Sequence, residues 1–331
     1  MEMGDDNALT IEVTTKCNLR CKNCFALADL PRKLDMDYEI AKSIVREGRE
    51  VGYQVLHLTG GEPTLWPYFF DLIYYSLQIG YRKIQFNTNG IPLSEEFCNR
   101  LKEYREMVDM SISINGTKEL HEEVRRHGTY QRAIKGLENA LKYQLNIEIF
   151  TTIGKSLLNE LPNYANMLFT DYPNIQGLTL IQFHRVENDF YDVKEELLTP
   201  RDFVKLVKQI SLLNLYGYRI SFLYNPYAFL VGKILKLPCI PKSKERISTT
   251  NLVVLNNLKI TGNHSSRKEY KNYQEGVLKE IIESTSIKNS EVCMKCKFSS
   301  FCQENEIYNP APEDLDFEST PFCQRLLNML I

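Results

Sequence analysis

Leu9-Thr10-Ile11-Glu12-Val13-Thr14-Thr15-Lys16-Cys17-Asn18-Leu19-Arg20-Cys21-Lys22-Asn23-Cys24-Phe25 joins a strand-like run to a loop with three cysteines in a C-x3-C-x2-C array. The apolar stretch at 9–13 reads as a strand, and the thiols follow directly. Three thiolates at this spacing, with no fourth cysteine nearby, suit three corners of a [4Fe–4S] cube and leave one iron for another ligand. An ordinary electron-carrying cluster takes four cysteines. Zinc favours four ligands, often as paired C-x2-C knuckles, and a disulfide framework favours an even cysteine number and an oxidising compartment. A chain of nine cysteines with this triplet on a post-strand loop fits neither.

Outward from that loop, strand-length apolar runs alternate with helical periodicity. Strands are predicted at 9–13, 55–58, 83–86, 108–114, 147–153 and 177–183, and helices at 37–48, 68–79, 94–104, 129–143 and 161–169. Ser94 reads as an N-cap with Glu95 and Glu96 in the first turn, where their charge suits the helix dipole. Thr199-Pro200-Arg201-Asp202 opens a sixth helix with cap and proline in register. Strict alternation implies an α/β fold with a parallel sheet and right-handed crossovers. The chemistry is then expected on the loops that follow strands.

Composition bounds the function classes. The chain has 331 residues, 43% of them hydrophobic, enough for one large domain and a smaller one. A net charge of -2 gives no overall reason to expect nucleic acid. The acidic Met1-Glu2-Met3-Gly4-Asp5-Asp6 lacks signal-peptide character and no apolar run reaches spanning length. The expectation is a cytoplasmic protein, with no membrane association, whose thiols stay reduced.

Gly60-Gly61-Glu62-Pro63 follows the second predicted strand, Thr88-Asn89-Gly90 the third, and Ser111-Ile112-Ser113-Ile114-Asn115-Gly116 lies on and after the fourth. A carboxylate beside glycines that permit close backbone approach is what a bound ammonium needs. Together with C-x3-C-x2-C, these motifs make the chain resemble the radical S-adenosylmethionine (SAM) superfamily over essentially its whole length. The resemblance implies a partial (β/α)6 TIM-type barrel. It also implies that Cys17, Cys21 and Cys24 hold the cluster and that the open iron chelates the methionine amino and carboxylate groups of SAM. Gly60, Gly61, Glu62 and Pro63 would bind the amino group, with Asn89 nearby. Ser111 or Ser113 would contact the ribose or carboxylate, Arg125 of the His121-x3-Arg125 segment would approach the carboxylate, Thr151 would face the nucleoside, and Phe25 would cover the adenine edge. The implied chemistry is reductive SAM cleavage to a 5′-deoxyadenosyl radical that abstracts a substrate hydrogen. A low-potential donor such as flavodoxin or ferredoxin would supply the electron.

Farther on, Cys293-Met294-Lys295-Cys296, Cys302 and Cys323 resemble the end of a SPASM domain or its shorter twitch form. Glu306 stands where that pattern has another cysteine, and the hairpin at 252–261 carries none. The resemblance implies one auxiliary [4Fe–4S] cluster on Cys293, Cys296, Cys302 and Cys323, with tetrahedral zinc on the same residues as the alternative. The expected domains are 1–230, the barrel, and 235–331, the small cysteine-rich C-terminal domain. Cys239, left over, is a buried relic, an extra ligand, or a catalytic thiol donating a hydrogen atom to a substrate radical. Cys98 reads as core.

Substrate contacts are expected from His184, Arg185, Asp189 and Tyr191 after the sixth strand, and more weakly from 224–227. The chain begins almost at the first strand, leaving no room for an amino-terminal winged-helix module of the kind many peptide-modifying relatives carry. SPASM-like relatives mostly modify peptides or proteins by crosslinking, epimerisation or oxidation, so that is the leading expectation. A small-molecule oxidoreductase or cofactor-building enzyme is the runner-up, and a cluster-bearing electron-transfer protein the remote alternative.

Overall fold

The computed structural model describes residues 8–22, 24, 26, 34–183, 194–223, 226–240, 251–262, 269–284, 295–300 and 320–331. Phe25, Cys293, Cys302, Glu306, Tyr224, Asn225 and the loop residues His184, Arg185, Asp189 and Tyr191 lie outside them. Two compact units are interleaved along the chain. Unit 1 comprises 1–114, 121–148 and 248–285, and unit 2 comprises 115–120, 149–247 and 286–331.

Unit 1 opens with β1 (Ala8–Thr14), α1 (Tyr38–Glu50), β2 (Val55–Gly60), α2 (Phe69–Gln78), β3 (Lys83–Thr88), α3 (Glu95–Leu101) and β4 (Val108–Ser113). Next come α4 (Lys118–Arg125), whose first residues belong to unit 2, then α5 (Tyr130–Lys142) and β5 (Asn146–Ile153), which passes into unit 2 at Ile149. Strands β1 to β4 are parallel neighbours, as the alternation predicts.

Local chemistry sets the helix starts. Asp37 caps α1 by accepting from Glu39 N at 2.9 Å and Ile40 N at 3.2 Å. Ser94 caps α3 by accepting from Phe97 N at 3.1 Å. Each satisfies donors that a helix start leaves open. Beneath the helices lies the apolar side of the strands: Leu9, Ile11, Val13, Leu56, Leu58, Ile84, Phe86, Val108, Met110 and Ile112, all at most 3% exposed. The Phe69 ring of α2 meets Phe86 edge-on at 5.1 Å.

Unit 2 holds the end of β5, α6 (Lys155–Leu158), α7 (Leu161–Asp171), β6 (Gly177–Gln182), α8 (Pro200–Leu215), β7 (Ile220–Phe222) and α9 (Pro226–Ile234). β6 and β7 pair in parallel, and Thr199 with Asp202 forms a capping box at α8. The helix α11 (Phe322–Leu330) also belongs here, its Phe322 ring perpendicular to that of Phe203.

The chain returns to unit 1 as β8 (Val253–Val254), β9 (Lys259–Thr261), β10 (Glu269–Asn272) and α10 (Val277–Ser284), before α11 (Phe322–Leu330) ends it. β8 and β9 form the expected hairpin, which joins β1 in parallel through Thr10↔Val253 and Ile11↔Val254. The order in unit 1 is therefore β10-β9-β8-β1-β2-β3-β4. No sequence expectation placed a strand on that side of β1, because this pairing joins segments some 240 residues apart. Buried Glu12 fastens the hairpin turn by accepting from Asn256 N at 3.1 Å. Glu47 of α1 accepts from Leu278 N at the start of α10 at 2.8 Å.

Candidate cluster and SAM site

The loop after β1 and the loop after β2 are built as one piece. Gly61 N donates to Thr14 O and Glu62 N to Lys16 O, both at 2.8 Å, so Gly60-Gly61-Glu62 runs against the backbone leading to Cys17. A Cβ at Gly60 would sit 2.3 Å from Thr14 O, and one at Gly61 would sit 2.4 Å from Lys16 O. The paired glycines thus serve close strand approach. Thr14 Oγ1 donates to Asp35 Oδ1 at 2.7 Å, and Asp35 also pairs with Lys16 at 2.6 Å, holding the exit of β1 from the other side.

Glu62 is 1% exposed, and its two oxygens are held apart by different donors. Asn89 N reaches Oε2 at 2.8 Å and Thr64 Oγ1 reaches Oε1 at 2.6 Å. Burial outweighs these bonds and raises the carboxyl pKa above its ordinary value. Pro63, also buried, starts a single 3-10 turn at Pro63–Leu65, where a missing N–H costs nothing.

Cys17 Sγ accepts from Leu19 N at 3.4 Å and lies 4.0 Å from Asn89 Nδ2. That same amide donates to Asn18 Oδ1 at 2.7 Å, so Asn89 ties the third loop to the first. Arg125 Nη1 approaches Cys21 Sγ at 4.0 Å, and Arg126 Nε donates to Arg20 O at 2.7 Å. Lys22 N donates to Val124 O at 2.8 Å, which completes the seam between the cysteine loop and the end of α4.

Burial, opposed by the Leu19 N–H and reinforced by the charges of Glu62, Cys21 and Cys24, pushes the Cys17 thiol up to about 12. Three thiols and a carboxylate thus crowd one neighbourhood, and the like charges they would carry as anions repel. Iron bound to the thiolates relieves that repulsion, so the donor set fits a three-cysteine cluster. Among the described residues no group of three or more His, Cys, Asp or Glu side chains is gathered as a metal-ion ligand set. The three thiols of a cube ligate different irons and need not converge on one point.

The remaining sequence candidates are distributed as follows. Ser113 ends β4 at the level of these loops, and Ser111 lies one pleat below, both half-buried on the same face. Thr151 is fully buried in unit 2, its hydroxyl 3.0 Å from Tyr164 OH. Cys239 is half-buried in unit 2, where its N–H donates to Ser211 Oγ at 3.2 Å. Cys296 Sγ accepts from Phe298 N at 3.4 Å, and Cys323 is buried on α11. His121 packs edge-on against Tyr130, and burial with the Arg125 charge lowers its pKa to about 3, leaving a neutral ring. Cys98 is fully buried, as expected of core. Thr64, Asn18 and Asp35 were missed; Thr64 had a signal, since it directly extends the Gly-Gly-Glu-Pro run.

Residues 11–166 match the Radical SAM superfamily, just under half of the chain. The Fe-coproporphyrin III synthase of Methanosarcina barkeri is 27% identical over 158 residues, 47% of this chain and 39% of that protein. The mycofactocin maturase MftC of Mycobacterium tuberculosis is 28% identical over 163 residues, 48% of this chain and 41% of its own length. The matches thus span about two fifths of these relatives. Among solved structures, native anSMEcpe with bound AdoMet and Cp18Cys peptide aligns over 97% of this chain and 93% of that one, with TM-score 0.70 at 20% identity. That likeness establishes the fold class, an α/β partial barrel. No helix among the described residues is long and apolar enough to cross a membrane.

Proposed function

Residues 11–166 are a radical SAM domain, and from that premise we propose an enzyme that cleaves SAM reductively and modifies a peptide or protein. When bound, the cluster and SAM supply a 5′-deoxyadenosyl radical able to take hydrogen from an unactivated C–H bond. Cys17, Cys21 and Cys24 hold the iron. Glu62 accepts the methionine ammonium, and burial keeps that charge-assisted bond out of competition with water. Asn89 and Thr64 hold the carboxylate in place, so little is lost in ordering it when SAM arrives. Leu19 N and the Arg125 guanidinium direct positive charge at the sulfurs of Cys17 and Cys21, which favours the more negative, reduced state. Ser113 faces the ribose or carboxylate of SAM.

The observation that carries the reading is the buried Glu62 carboxylate, held by the N–H of Asn89, whose side-chain amide lies 4.0 Å from Cys17 Sγ. The peptide substrate is supported by the likeness in fold to native anSMEcpe, whose structure carries a Cp18Cys peptide. Likeness to Fe-coproporphyrin III synthase favours a second reading, a cofactor-building enzyme. An auxiliary [4Fe–4S] cluster on Cys293, Cys296, Cys302 and Cys323, a hydrogen-donor role for Cys239, a flavodoxin- or ferredoxin-like donor and a cytoplasmic location complete the proposal.

The test is anaerobic reconstitution followed by dithionite and SAM, with 5′-deoxyadenosine as readout. Deuterium carried into 5′-deoxyadenosine from labelled peptide supports the peptide reading; deuterium from labelled metabolites alone supports the second. Intact clusters with no SAM cleavage, even with cell extract added, would sink both.

A further inference from the structure

The face of the unit 1 sheet opposite its covering helices is polar. Thr10 pairs in register with His57, His57 with Gln85 and Gln85 with Asp109, forming one row across four strands. Nearer the loops, Glu12 stands beside Thr59 and Asn87 beside Ser111. Parallel sheets usually bury both faces and read as continuous apolar runs, and complete barrels fill their interiors with branched apolar side chains. Here, Ala8 and Val55 apart, the residues of this face on β1 to β4 depart from that rule. Such a face is stable where water or a hydrogen-bonding ligand covers it.

Asn87 and Ser111 are its most informative pair. Both are half-buried, and neither side chain has a partner among the described residues. Asn87 lies one pleat, roughly 7 Å, below Asn89, whose N–H holds Glu62. A carboxamide offers a donor and an acceptor, and a hydroxyl offers both, which is the complement of a peptide unit. Charge argues in the same direction. Lys83 is the one cation among the β1–β4 residues of this face, and it is paired with Asp109 at 3.0 Å. On those four strands a macrocyclic polycarboxylate or a triphosphate would find no unpaired lysine or arginine.

We propose that Asn87 and Ser111 are specificity-determining contacts for the uncharged main-chain amides of a peptide laid along this face. Ser113, at the strand end, is left to SAM. This inference rests on the peptide-modifying reading and assigns its substrate contacts.

The test uses the reconstituted full chain, a pool of short synthetic peptides of randomised sequence, and iron coproporphyrin III as the anionic probe. The readout is the half-saturating concentration for probe-dependent 5′-deoxyadenosine. Losing one hydrogen bond to the amide in Asn87→Leu or Ser111→Val is expected to raise that concentration for peptides about tenfold, with Asn87→Gln and Ser111→Thr recovering most of it. Iron content and thermal midpoint report folding, and Asn87→Ser and Ser111→Ala serve if the larger changes disrupt it. Unchanged half-saturation across the folded variants overturns the assignment. So does stimulation by iron coproporphyrin III but not by peptides, or by neither probe while SAM alone still gives 5′-deoxyadenosine. No 5′-deoxyadenosine from the unaltered protein under any condition is instead the failure of the radical SAM reading.

Discussion

Cys17 and Cys296 share a local device and differ in everything around it. In each, the N–H two residues later donates to the sulfur at 3.4 Å, Leu19 in one case and Phe298 in the other. Around Cys17, the partner cysteines lie within eight residues, and the loops after β2 and β3 close upon Cys17 and the backbone that leads to it. The second set spans 31 residues from Cys293 to Cys323, with Cys323 on a helix of its own. A short cysteine array is thus a nearly complete instruction, because few backbone paths separate its thiols. A long one depends on what the intervening chain packs against.

The largest effect that tests this contrast is Cys17→Ala, expected to abolish 5′-deoxyadenosine formation and remove one cube's iron, checked by iron and sulfide counts on the reconstituted protein. Retained SAM cleavage would break the contrast outright. Glu62→Gln probes a feature the described part of the second region lacks. Replacing a charged acceptor is expected to weaken SAM binding by about 100-fold, measured by titration monitored through the cluster's electron paramagnetic resonance signal.

The double substitution Cys296→Ala and Cys323→Ala is expected to halve the iron per chain. An unchanged count would mean the second region holds no cluster, and zinc in its place would support the tetrahedral alternative. Gly61→Ala drives a Cβ to within 2.4 Å of Lys16 O and is expected to cost ~1–3 kcal/mol in thermal or denaturant unfolding. The smallest effect is at Cys98, whose thiol burial pushes up to about 12. It is expected to resist alkylation in the native state, and Cys98→Ala is expected to leave the iron count unaltered.

The fold was legible where local rules decide it. Four parallel strands and the Ser94 and Thr199 caps lie where periodicity and capping chemistry put them. Helix α4 is less legible, because its charged sequence, Lys118–Arg125, carries only a short amphipathic signal. Within the site, cysteines and glycines stood out because few residue types can do their jobs. Asn18, Asp35 and Thr64 did not, because a polar residue on a loop looks the same whether it orients a carboxylate or faces water.

Sequence by itself determined the cluster-type thiol array, the strand–helix alternation and the glutamate beside two glycines. Each depends on spacing within one turn or loop, where covalent geometry leaves little choice. Tertiary structure decided that Glu62 is buried under Asn89 N and Thr64 Oγ1, that Asn89 bridges to Asn18, and that a hairpin from 252–261 covers β1. It also decided that Asn87 and Ser111 stand side by side on a polar face. Those arrangements join residues tens to hundreds of positions apart, and their energies come from packing and desolvation that exist only once the strands have found their neighbours.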